Sequence, residues 1–223
     1  MELIETLRTT GAIRDFLPDP VSDETVARIL ETARFAPSGG NRQGWRVVVV
    51  KDRATRVALR DLYLPGWYEY LAQRAAGLTP WAPITDRATE AKALESAGSI
   101  PPGTAFPENL DQAPVLLVLF ADLRELAAVD RDLPRYTFAG GASVYPFAWN
   151  LLLAARAEGL GGVITTMPIA RESEVKALLD APDELAVAAL IALGRPVHQL
   201  RKLTRAPVTS FATTDRVTGG AFG

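Results

Sequence analysis

A short loop rich in hydroxyl and amide side chains is the stretch of this sequence best suited to hold a polar ligand. Ser38, Asn41 and Gln43 lie within residues 36–45, between an amphipathic segment and a run of valines. Hydroxyl and amide groups both donate and accept hydrogen bonds, so they could bind a ligand with polar edges. Serine, glycine and asparagine are also typical of a turn that ends a helix, and the loop composition alone favours that interpretation.

The scarcity of side chains that bind metals or carry protons excludes several kinds of site. The chain has 223 residues, no cysteine and one histidine, His198. Disulfides, thiolate zinc sites, cysteine-held iron–sulfur clusters and cysteine nucleophiles are therefore impossible, and a site with several histidine ligands cannot be built. We expect no metal, and we interpret His198 as a surface or interface residue. The formal charge of −2 gives no support to nucleic-acid binding.

The elements that must position such residues alternate between strands and helices. Compact apolar runs predict buried strands at 46–51, 115–121 and 186–193, with a short strand at 163–166. Apolar spacing predicts helices at 2–9, 23–35, 53–63, 67–76, 86–97, 142–158 and 171–179. Pro146 predicts either a helix start or a kink within 142–158. The near-continuous apolar strands predict a central sheet covered on both faces.

Residues 64–112 differ from their surroundings, with prolines, tryptophans and an irregular stretch at 99–107. We interpret this region either as a lid over a binding site or as a mobile surface insertion. The first residues lack the basic and apolar regions of a secretory signal, and the longest apolar run is about half of a membrane span. We therefore expect a cytoplasmic protein that binds no membrane.

Four blocks of sequence together resemble the nitroreductase family. Residues 36–45 read APSGGNRQGW and resemble the family motif A-P-S-x-x-N-x-Q-P-W, which also precedes a valine-rich strand. The other blocks are IRDF at 13–16, GLGG at 159–162, and GRP at 194–196 followed by RAP at 205–207. They agree with the family in order and spacing. The resemblance covers most of the chain, and residues 64–112 are the part that it constrains least.

This resemblance implies an α+β fold in which helices flank a central mixed β-sheet, with 1–223 forming one domain and 64–112 its lid or insertion. It implies a homodimer with two FMN molecules at the interface, each contacted by both subunits, and a C-terminal tail that wraps the partner. The implied activity is a ping-pong reaction, in which NADH or NADPH gives a hydride through flavin N5 to an electron-poor acceptor such as a nitroaromatic or a quinone. No side chain needs to act as an acid or base, because the cofactor carries the chemistry.

The resemblance also assigns residues to the cofactor. Arg14 and Arg205 are expected at the FMN phosphate, because a basic group must meet that anion. The remaining cofactor-binding set is Pro37, Ser38, Gly39, Asn41, Gln43, Gly162, Thr165 and Thr166. Gly161, Arg201 and Lys202 are left outside it; we interpret the last two as surface charges. The aromatic residues Trp67, Tyr68, Tyr70 and Trp81 wall the substrate pocket or pack under a loop, and both interpretations stay open.

Two departures from the family pattern keep alternatives open. Thr10, Gly11 and Ala12 stand where the family commonly has Arg-Arg-Ser, and Gly44 stands in place of a proline. A deazaflavin could therefore replace FMN. The chain could also be a flavin-binding store or sensor without nicotinamide turnover. A specialised branch of the family, with flavin-cleaving, dehalogenating or ene-reducing activity, is a further alternative.

Overall fold

The computed structural model describes residues 2–101 and 103–223, and its centre is a four-stranded sheet. The strands are β1 (Trp45–Val49), β2 (Val115–Asp122), β3 (Gly161–Thr165) and β4 (Leu185–Gly194), in the spatial order β1-β2-β4-β3. All three neighbouring pairs are antiparallel.

The α+β fold class predicted from the sequence is confirmed, but the expectation of a mixed sheet is wrong. In the described chain, parallel pairing is confined to an isolated bridge between Ala12 and Gly162. The physical reason is that a strand buried on both faces reads as a continuous apolar run whichever way its neighbours point. The sequence pattern therefore indicated that the strands are buried. It did not indicate whether neighbouring strands run parallel or antiparallel.

Six α-helices surround the sheet in the described residues. They are α1 (Leu3–Thr9), α2 (Asp23–Ala33), α3 (Arg53–Ala75), α4 (Arg87–Leu94), α5 (Tyr145–Ala157) and α6 (Glu172–Leu178). Pro146 lies in the first turn of α5, where a missing N–H has no helical partner to lose. Of the two outcomes expected for that proline, the helix start is the one observed. No helix in the described ranges is both long enough and apolar enough to cross a membrane.

Helix α3 differs from its prediction in a way that matters for the site. The sequence predicted two helices, at 53–63 and 67–76, but one helix of 23 residues runs through Pro65. A proline inside a helix costs about 3 kcal/mol. Buried residues on both sides of it, among them Leu59 and Ala72, pack the helix onto the protein and offset that cost. The first part of the predicted lid is therefore a continuation of a core helix.

The two faces of the sheet carry separate apolar clusters, as the buried strands predicted. Helices α2 and α5 cover one face, and α3 and α6 cover the other. All eight residues of β2 are buried, and its side chains alternate between the two clusters. This arrangement fixes α3 relative to the ends of β3 and β4.

Gly162 joins the N-terminal segment to this sheet. The Ile13 N–H donates to the Gly162 carbonyl at 2.8 Å. A Cβ added at Gly162 would lie 2.4 Å from Leu193 Cδ2 and 2.7 Å from the Ala192 carbonyl oxygen. Glycine is required here because the β3–β4 packing leaves no room for a side chain. This requirement holds whether or not Gly162 also contacts a cofactor, as the resemblance predicts.

We expect Gly162→Ala to lower the free energy of unfolding by about 1–3 kcal/mol, because the new methyl group overpacks the sheet against backbone atoms. Urea denaturation followed by circular dichroism measures this change. Gly98→Ala is the matched control, since no neighbouring atom of the described residues lies within 4 Å of the position of its Cβ. Equal stabilities of the two variants would contradict this account of Gly162.

Candidate functional site

A cavity of about 460 Å³ opens where α3, the segment after α1 and the end of β3 meet. Its lining brings together residues that are far apart in the sequence, among them Arg14, Tyr63, Trp67, Tyr70, Thr165 and Thr166. Five of these six were candidates from the sequence, and Tyr63 was not. Tyr63 lies one helical turn before Trp67, and this i, i+4 spacing is the signal that could have found it.

A row of aromatic rings forms one wall of the cavity. The ring centroids of Tyr63 and Trp67 are 6.5 Å apart with an interplanar angle of 20°, and those of Trp67 and Tyr70 are 5.4 Å apart at 19°. The row continues beyond the cavity to Trp81, whose centroid is 6.3 Å from that of Tyr70 and which is not among the described lining residues. Aromatic contacts of this kind are favourable, and the rings of Tyr63, Trp67 and Tyr70 give the cavity an apolar wall. Tyr68 is outside the row, and its hydroxyl donates to Glu108 Oε1 at 3.5 Å.

A buried amide holds the outer end of this row in place. Gln73 is fully buried, and its Oε1 accepts a hydrogen bond from the Trp81 N–H at 2.8 Å. Trp81 has a φ of 51°, a left-handed conformation that a bulky residue adopts only where its surroundings impose it. The Gln73 side chain thereby ties the turn after α3 back to the helix that carries the other rings.

The inner end of the row is polar. The Thr165 hydroxyl donates to Tyr63 Oη at 3.4 Å, and both residues are buried. Burial raises the pKa of the Tyr63 phenol, while the hydrogen bond from Thr165 and the charge of Arg14 act against that rise. The phenol is therefore neutral at physiological pH. Arg14 itself is exposed and forms no ion pair within residues 2–101 and 103–223.

The loop with hydroxyl and amide side chains lies apart from this cavity. Within the loop, Ser38 Oγ accepts from the Gln43 N–H at 3.0 Å, and Gln43 Nε2 donates to Asn41 Oδ1 at 3.3 Å. The Gly39 N–H donates to Ser143 Oγ at 3.0 Å, which anchors the loop beside the start of α5. Among the described residues that line the cavity, none belongs to this loop. Asn41 and Gln43 are exposed and have left-handed φ angles of 54°.

The basic tail is also separate from the cavity in the single chain. Arg205 is exposed, and its guanidinium donates to the neighbouring Thr204 carbonyl at 2.8 Å. Arg201 and Lys202 are exposed as well, and in the described part of the chain none of the three has an acidic partner. All three are thus available to an anion.

The structure gives a reason for the departure at Thr10, Gly11 and Ala12. A Cβ added at Gly11 would lie 2.7 Å from Leu200 Cδ1 and 2.8 Å from Leu203 Cδ2. The tail leucines occupy the space that a larger side chain would need at position 11. The Thr10 hydroxyl is buried and donates its proton to the Thr6 carbonyl at 2.8 Å, so that proton is not available to a ligand.

The predicted cofactor residues therefore divide into groups. Arg14, Thr165 and Thr166 meet at the cavity, whereas the loop with Pro37, Ser38, Gly39, Asn41 and Gln43 and the tail with Arg205 lie elsewhere. Gly162 is buried within the sheet. One chain thus presents three separate parts of the predicted site, namely the cavity, the loop and the tail.

Comparisons with known proteins give the chain a family. The sequence pattern of the nitroreductase family matches residues 7–195. A Thermus thermophilus protein named NADH dehydrogenase is 32% identical, over 84% of this chain and 83% of its own length. The 5,6-dimethylbenzimidazole synthase of Rhodospirillum rubrum is also 32% identical, over 86% of this chain and 82% of its own. A crystal structure of oxidised iodotyrosine deiodinase bound to FMN and 3-iodo-L-tyrosine is 25% identical, with a TM-score of 0.63 over 93% of this chain and 96% of that one.

We expect Gln73→Met to lower the free energy of unfolding by about 1–3 kcal/mol, because it removes the hydrogen bond that the buried Gln73 side chain accepts from the backbone N–H of Trp81. Urea denaturation measures the loss, and acrylamide quenching of tryptophan fluorescence should increase as the turn loosens. Gln112→Met is the control, since Gln112 is exposed. If Gln73→Met is as stable as the control, the Gln73–Trp81 hydrogen bond does not hold the turn.

Proposed function

Because the chain belongs to the nitroreductase family, we propose that it is an oxidoreductase that binds FMN and passes hydride from NADH or NADPH to an electron-poor acceptor. The observation that carries this proposal is the cavity in which Arg14, Thr165 and Thr166 meet an aromatic wall. A flat ring with polar edges suits such a cavity, since the rings stack and the hydroxyls and guanidinium meet the polar edge.

The residues present fit FMN. The aromatic wall offers a stacking surface, and Arg14 is a cation at the cavity that lacks an acidic partner in the described chain. Arg201, Lys202 and Arg205 supply further cations for a phosphate. These tail residues offset the missing arginines at positions 10 and 11. Bound FMN would supply the two-electron redox chemistry that no side chain of this protein provides.

The side chains of the cavity have roles that follow from their contacts. Because Thr165 donates to Tyr63 Oη, the phenolic proton of Tyr63 is free to point elsewhere, and the raised pKa keeps that proton in place. Arg14 stabilises negative charge that builds up nearby, an effect that strengthens as water is excluded. Trp67 and Tyr70 exclude water from one side of the cavity and orient a planar molecule. We propose that the 64–112 region covers the site as a lid, with its first part, the end of α3, holding these rings in place.

We propose a homodimer in which the partner completes the site. The Ser38–Gln43 loop and the cavity lie in different places on one chain, so a second copy is the natural source of the missing half. Exposed apolar side chains support an interface, since Leu3, Ile4, Phe35, Phe138 and Phe211 are each more than half exposed. The tail at 198–223 would then wrap the partner. A cytoplasmic location stays a prediction.

A specialised activity is the second candidate, and the names of two relatives favour it. One is a 5,6-dimethylbenzimidazole synthase, and the other is an iodotyrosine deiodinase with bound 3-iodo-L-tyrosine. In either case the same cavity would receive the substrate. A flavin store or sensor would differ from both the general oxidoreductase and a specialised enzyme, because its flavin would not turn over with NADH or NADPH.

Anaerobic addition of NADH or NADPH tests the proposal. We expect the purified protein to show the visible absorption of oxidised flavin, and we expect one of the nicotinamides to bleach it within the mixing time. A nitroaromatic or a quinone should then restore the absorption. A flavin that stays oxidised with both donors would contradict nicotinamide-dependent turnover and favour a store or sensor. A protein that cannot be reconstituted with FMN would favour a deazaflavin.

A further inference from the structure

A second arginine lines the same cavity as Arg14, at the other end of the aromatic wall. Arg14 lines the cavity together with Tyr63, which begins the row. The Arg74 guanidinium carbon lies 5.8 Å from the ring centroid of Tyr70, two rings further along. The cavity therefore has a cation near each end of the part of the row that lines it, Tyr63 to Tyr70.

Arg74 is not neutralised by an acid. It forms no ion pair within the described ranges, and the described lining of the cavity contains no aspartate or glutamate. Glu69, one turn earlier on α3, pairs instead with Arg171 at 3.5 Å, and the Glu69 carbonyl accepts from Gln73. The charge of Arg74 is therefore available to a ligand.

The two cations have different neighbours, and this difference separates their roles. Arg14 lines the cavity with Tyr63 and the buried Thr165, where the cofactor ring is proposed to bind. Arg74 lies in the last turn of α3, beside Tyr70 and near the turn that carries Trp81. A planar molecule stacked along the rings would bring a substituent at its outer end to Arg74.

We propose that Arg74 is a specificity-determining residue that binds the carboxylate of an aromatic electron acceptor. Guanidinium and carboxylate match in charge and in their paired hydrogen-bonding geometry. The aromatic wall selects planarity, and Arg74 selects the negative charge. This inference rests on the proposed function for the role of the cavity and adds the substrate class, an aromatic carboxylate.

The test compares matched ligands that differ in charge. Benzoate and benzyl alcohol are titrated calorimetrically into the purified protein, and 4-nitrobenzoate and 4-nitrobenzyl alcohol are compared as acceptors by kcat/KM. The variant is Arg74→Gln, with Arg74→Lys as the conservative version. Arg87→Gln is the control, because Arg87 belongs to the same 64–112 region and pairs with Glu90 outside the cavity lining.

We expect Arg74→Gln to weaken benzoate binding about tenfold and to lower the 4-nitrobenzoate to 4-nitrobenzyl alcohol ratio of kcat/KM by a similar factor. The factor is modest because Arg74 is exposed, and solvent weakens a charge pair. Arg74→Lys should recover part of both losses, and Arg87→Gln should match the wild type.

Three results would overturn the inference. The first is an unchanged benzoate affinity and an unchanged ratio in Arg74→Gln. The second is a loss of FMN retention in that variant, which would place Arg74 at the cofactor. The third is a raised KM for the nicotinamide with no change of the ratio, which would assign Arg74 to the phosphates of the donor. Benzoate binding is measured without turnover, so failure of nicotinamide reduction would not be mistaken for any of these results.

Discussion

The packing of α3 against the sheet is the constraint on which the site depends. This helix continues through Pro65 because buried residues on both sides of the proline hold it in place. Its continuity sets Tyr63, Trp67 and Tyr70 in one row, so that a single rigid element provides the wall of the cavity. The same packing brings Tyr63 to Thr165 at the end of β3. A broken helix would separate the rings from the polar end of the cavity.

The second constraint is that the residues predicted for the site lie in separate places on one chain. Arg14 and Thr165 meet at the cavity, whereas the loop of Ser38 and Asn41 is anchored through Gly39 beside α5. The loop geometry is built from its own hydrogen bonds, so it does not need the cavity to keep its shape. A twofold interface can place the cavity of one chain against the loop of its partner, and the loop of the first chain against the partner's cavity. Two rigid, separate parts on each chain are therefore the form expected of a site that is completed by symmetry.

The sequence predicted much of this fold and part of its site, and the differences have physical causes. Buried strands and amphipathic helices leave strong periodic signals, and those elements were found near their predicted positions. The antiparallel direction of the sheet and the continuity of α3 leave no local signal, since both depend on tertiary packing. Arg14 and Thr165 were identified through the family resemblance. Arg74 was missed because its role depends on which face of α3 meets the cavity, which only the packing decides. Tyr63 was missed although its i, i+4 spacing to Trp67 is a local signal.

The most direct test of this account asks whether two copies complete one site. Arg14→Ala and Asn41→Ala chains carrying different affinity tags are combined, and the heterodimer is purified and its bound FMN counted. If the two residues serve one site from different subunits, the heterodimer holds one intact site and one doubly altered site. We expect this heterodimer to retain about half of the wild-type FMN, while each parent homodimer loses most of it. A heterodimer that binds no more FMN than its parents would contradict the account, because both residues would then act within the same chain.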